Sequence, residues 1–105
     1  MRVLLDECLP WPMHRLLDDH SCTSVQAEGW SGIRNGDLLQ RAEAHFDLFI
    51  ISDQNISYQL NLAGGTIAIL ELSTNDLRRI QAASALIQET IETIRSDEFK
   101  RLSIP

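Results

Sequence analysis

Residues 48–53, Leu48-Phe49-Ile50-Ile51-Ser52-Asp53, decide the fold. Four consecutive apolar residues leave no side of a strand for water, so they predict a strand buried on both faces, as in the centre of a parallel sheet. Ser52-Asp53 ends the run and sets Asp53 at its carboxyl end. Upstream, Val3-Leu4-Leu5 repeats the pattern and is stopped by Asp6-Glu7, which gives Asp6 the same placement. Cys22-Thr23-Ser24-Val25 is β-prone and predicts a second strand. Downstream, Thr66 to Leu70 predicts a fourth after the Gly64-Gly65 turn.

Helical segments separate these strands. Leu9-Pro10-Trp11-Pro12 cannot continue a central strand, but proline suits a first helical turn, so a short helix through His14, Leu16 and Leu17 is expected. Glycines make 29–32 a loop. Asn35 is a plausible cap for a helix with Leu38, Leu39, Ala42 and Phe46 on one side, with Asp37 in its first turn. Leu77, Ile80, Ile87, Ile91 and Ile94 recur at helical spacing, predicting one long amphipathic helix capped by Thr74 or Asn75. Alternating strands and helices imply an α/β fold, a three-layer α/β/α sandwich on a small, mainly parallel sheet of about four strands. The domain is expected over residues 1–96. From residue 97 to 105 the pattern fades, and this tail is expected to be mobile or used in assembly.

With 105 residues, the chain is the size of one domain with a core that needs no staples. Nine basic residues against fifteen acidic ones give a net charge of −6, which excludes a general basic surface for polyanions. Any nucleic acid must be held locally, and Arg2, Arg15, Arg34, Arg41, Arg78 and Arg79 are the candidates. Cys8 and Cys22 have neither CxxC nor Cys/His ligand spacing, which fits a reducing, cytoplasmic setting. The apolar run at the N-terminus is too short for a signal peptide or a membrane span.

Ligands of open α/β sheets bind outside the carboxyl ends of the strands, where Asp6 and Asp53 are predicted to lie. Singly, each is as readily a helix cap or turn residue. Together, two carboxylates in one crevice repel unless a proton or a cation intervenes. Asp37, though favoured in a first turn by the helix dipole, would face the same crevice. Three carboxylates with water suit Mg2+ or Mn2+, and phosphodiester hydrolysis is the natural use of such a centre. No HExxH, GxSxG or GxxxxGK[ST] pattern offers another chemistry. Asn55, Tyr58, Gln59 and Asn61 follow the third predicted strand, placed to contact a nucleotide or to hydrogen-bond loop backbone. Trp11 and Trp30 suit either base stacking or packing.

Leu4-Leu5-Asp6-Glu7-Cys8-Leu9-Pro10, Gly29-Trp30-Ser31-Gly32, Asn35-Gly36-Asp37-Leu38-Leu39 and Ser52-Asp53-Gln54-Asn55 running to Tyr58-Gln59-Leu60-Asn61-Leu62 resemble, in that order, the DUF5615 PIN-like domains. The likeness runs from Val3 to the last helix. It implies a small PIN-type fold and a Mg2+-dependent or Mn2+-dependent ribonuclease, the toxin half of a toxin–antitoxin pair. RNA would be the substrate and a cognate antitoxin protein a partner. By position the family acids fall on Asp6, Asp37 and Asp53, with Glu7 adjoining. Asn55 stands where many relatives carry a second acid. Glu7, Asn55, Arg34, Gln59 and Asn61 form the expected second shell or substrate contacts, and a homodimer is a further expectation. Two other classes remain open. One is a receiver-like signalling module, which wants a lysine at a late strand end, whereas the only lysine, Lys100, follows the long helix. The other is a PIN-like domain that binds without catalysis.

Overall fold

The computed structural model describes residues 1–33, 35–52 and 67–105. Five strands, β1 (Arg2–Leu5), β2 (Ser21–Ser24), β3 (Leu48–Ile51), β4 (Ala68–Leu72) and β5 (Phe99–Leu102), pair in parallel in the order β2-β1-β3-β4-β5. A 3-10 helix, Trp11–Leu17, connects β1 to β2, and α1 (Asn35–His45) connects β2 to β3. Between β4 and β5 run α2 (Leu77–Ala82) and α3 (Ser84–Thr93).

Alternation along each strand divides the core in two. On one face Val3, Leu5, Leu48, Ile50, Ala68, Leu70 and Leu72 pack under Met13, Leu17, Ile80, Ile87 and Ile91 from the 3-10 helix, α2 and α3. On the other, Leu4, Phe49, Ile51, Ile67 and Ile69 pack under Leu38, Leu39 and Ala42 of α1. The result is the expected α/β/α sandwich. Each fully buried Leu, Ile or Phe contributes about 1.5–3 kcal/mol, so these two layers supply the main stabilisation.

Three expectations are corrected. The sheet has five strands, and the fifth lies in the 97–105 segment. Phe99-Lys100-Arg101-Leu102 lacks a buried run because β5 is an edge strand whose side chains are only partly covered. Backbone pairing with β4 holds it, and Ile104, buried in the core, donates its amide to Ser73 Oγ at 2.7 Å. Second, the long helix is two helices broken at Ala83, where φ is −100° and ψ 17°. Its cap is Asp76, whose carboxylate accepts from the amides of Arg78 and Arg79 at 2.9 and 3.2 Å. Third, β4 ends at Leu72, so Glu71 is a strand residue.

Candidate metal centre at the carboxyl edge of the sheet

β1 is an interior strand next to the edge strand β2, and β2 and β3 pair on its two sides, so the chain reverses direction of travel at β1. This is the switch point at which open α/β sheets leave a crevice. Three loops close around it. Gln26 Nε2 donates to the Glu7 carbonyl at 3.4 Å, and Asn75 Nδ2 donates to the Cys8 carbonyl at 3.3 Å, tying the segments after β2 and β4 to the one after β1.

Asp6 occupies the exit of β1. Its amide donates to the Ile50 carbonyl at 3.0 Å, which extends the β1–β3 ladder one residue past the Leu5–Ile50 pair. Asp6 therefore projects to the α1 face, level with Ile51, and is only 3% exposed. Burial pushes its carboxyl above the ordinary aspartate range. Hydrogen bonds from the Glu7 amide and the Cys8 thiol and amide offset part of that rise, while the Glu7 charge adds to it. Its Oδ2 is buried with no hydrogen-bond partner among the described residues. A buried orphan oxygen on an acid costs about 1–3 kcal/mol or more, and a ligand that supplies a positive charge removes the cost.

Asp37 lies in the first turn of α1, as expected, and is exposed. α1 ends at His45 and leads directly into the start of β3, so its N-terminus stands at the carboxyl edge, on Asp6's face. Glu7 is exposed beside Asp6. Asp53, Arg34, Asn55, Tyr58, Gln59 and Asn61 lie outside the described residues, as does the start of the expected Thr66–Leu70 strand. Among the described residues no three His, Cys, Asp or Glu side chains are grouped to hold an ion.

One acid escaped the reading of the sequence. Glu71 pairs in register with Ile51 on one side and Arg101 on the other, and is 1% exposed. An acid within Ile67-Ala68-Ile69-Leu70-Glu71-Leu72 reads as the end of a strand, although the apolar Leu72 after it is the available signal. Arg101 Nε and Nη2 both reach Glu71 Oε1, each at 2.6 Å, and leave Oε2 buried with no partner among the described residues.

Other candidates sort by place. Trp30 packs edge-on against Phe46, with ring centroids 6.0 Å apart, whereas Trp11 is exposed and stacked on His14 at 4.2 Å. Cys8 and Cys22 are not joined in a disulfide. Lys100 does lie in a late strand, but it pairs with Leu70 and so projects to the α2/α3 face, away from Asp6. That placement does not suit the lysine of a receiver-like site. No described helix is long and apolar enough to cross a membrane. No family model, curated protein or solved structure matches the chain.

Proposed function

We propose that this chain is a divalent-metal-dependent endoribonuclease of the PIN-like class, hydrolysing RNA phosphodiester bonds as the toxin of a toxin–antitoxin pair. The observation that carries this reading is Asp6, a buried carboxylate at the exit of the interior strand β1 with one oxygen that has no partner among the described residues. Asp37 on the rim of the same face supports it, as does the resemblance of the ordered motifs.

The donor set fits a hard cation. Asp6 supplies an oxygen that no described residue satisfies, and carboxylates are the preferred ligands of Mg2+ and Mn2+. Asp6, Asp37 and Asp53 would hold the ion. When bound, it would lower the pKa of an attacking water and offset charge developing on the phosphoryl group. Asp6 itself is held by the ladder bond to Ile50 and by the donors of Glu7 and Cys8, so its carboxylate needs little reorganisation to bind. Its burial keeps bulk water from the carboxylate. Asp37, exposed at the α1 N-terminus, is placed to meet solvent and substrate.

The purified chain with Mn2+ or Mg2+ should cleave RNA, and EDTA should stop it. Asp6→Asn should fold and lose activity by about a hundredfold or more, the loss typical when a preorganised electrostatic group is removed. Cleavage by Asp6→Asn at the parent rate would refute the assignment.

A further inference from the structure

Asp6 Oδ2 and Glu71 Oε2 are the buried side-chain oxygens without a partner among the described residues. They are not scattered. Register places Asp6, Ile51, Glu71 and Arg101 in one row across β1, β3, β4 and β5, all projecting to the α1 face. Asp6 and Glu71 flank Ile51, two inter-strand steps or about 10 Å apart at Cα.

Arginine normally meets a carboxylate fork to fork, one N–H on each oxygen. Here both donors converge on Oε1, so the guanidinium orients the carboxylate while leaving its second oxygen for something else. Arg101 is 54% exposed at the sheet edge, and its charge pairs with Glu71. Among the described residues this row holds two buried acids and one base, and the missing chemistry is a donor of positive charge and of hydrogen bonds. A hydrated divalent cation provides both. The two carboxylates extend from strands two steps apart with Ile51 between them, a spacing for a water-mediated contact, and Mg2+ keeps several of its waters.

We propose that Glu71 belongs to the same cation site as Asp6, with Oε2 accepting a hydrogen bond from a water on the ion and Arg101 fixing the carboxylate through Oε1. Glu71 is a positioning residue, and the assignment rests on the metal reading above. Partners of this kind typically change metal affinity by about 10–100-fold when removed.

Mn2+ alone, titrated by calorimetry into the full chain and its variants, tests this without RNA. Asp6→Asn should abolish binding. Glu71→Gln should weaken it about tenfold, and Arg101→Gln, which keeps Oε2 but loses the group that orients it, should weaken it by less. Glu71→Gln binding as tightly as wild type, with Asp6→Asn still deficient, overturns the role of Glu71 and leaves the metal reading standing. Equal losses in Glu71→Gln and Arg101→Gln also overturn it, since a merely structural ion pair fails from either side. If the wild type binds no Mn2+, both readings fail. Should Glu71→Gln not fold, the wild type decides by NMR: substoichiometric Mn2+ should broaden the amides of Asp6, Ile51 and Glu71 before those of α3, and a centre of broadening elsewhere overturns the proposal.

Discussion

The two faces of the sheet are made from the same strands and built for different ends. Under α2 and α3 the positions of the three inner strands, β1, β3 and β4, are Val3, Leu5, Leu48, Ile50, Ala68, Leu70 and Leu72, all apolar. Under α1 the same alternation gives Leu4, Phe49, Ile51 and Ile69, but its carboxyl end carries Asp6 and Glu71, each with an oxygen that no described residue satisfies. Close-packed apolar layers gain stability from burial, whereas a buried acid subtracts from it unless something binds. The first face holds the molecule together and the second tolerates a cost that a ligand can remove.

This division can be broken by substitution. The largest effect should come from the stabilising face: Ile87→Ala removes a fully buried side chain and should cost about 2–5 kcal/mol in chemical denaturation. Mn2+ affinity of the folded fraction should stay at the wild-type value. A loss of affinity in step with stability would mean that the two faces are coupled.

The acid face should show the opposite sign. Burial raises the Asp6 carboxyl above its ordinary pKa, so the native state binds its proton more tightly than the unfolded chain does. Its contribution is fully present below the ordinary aspartate value and is lost as pH rises through the raised one. Asp6→Asn does not titrate, and at neutral pH without metal it should exceed the wild type by about 1 kcal/mol, a few degrees in Tm. The gain should shrink as pH falls toward the ordinary value of 3.8. Saturating Mn2+ should stabilise the wild type alone, by about 2.7 kcal/mol at a hundred times Kd. An Asp6→Asn protein less stable than the parent at pH 7 without metal would show that the carboxylate is satisfied.

The smallest effect concerns charge. The chain carries a net −6, and Arg78 and Arg79 give their amides to the Asp76 cap while their side chains remain exposed. Binding of single-stranded RNA should therefore involve few phosphates, with a slope of log K on log salt of about −1.4 to −2, corresponding to two or three contacts. A much steeper slope would place a basic surface on the protein that its composition denies.

The legible parts of this fold were those whose chemistry is local. Val3-Leu4-Leu5 and Leu48-Phe49-Ile50-Ile51 read as doubly buried strands because no residue in them tolerates water on either face. The helix with Leu38, Leu39 and Ala42 read correctly because its period is its own. β5 did not, since Lys100 and Arg101 carry no burial signal and the strand exists by pairing with β4. The break at Ala83 was equally silent, alanine being the best helix former.

By itself, the sequence determined the layered α/β plan and the position of Asp6 at a strand exit, because runs of apolar residues and the acids that stop them act over a few neighbouring positions. Tertiary structure alone decided that Glu71 stands in a row with Asp6 and that Arg101, thirty residues away, occupies just one of its oxygens. Register across a parallel sheet is set by crossovers and by packing against both faces, and it brings together side chains whose partnership no local pattern records.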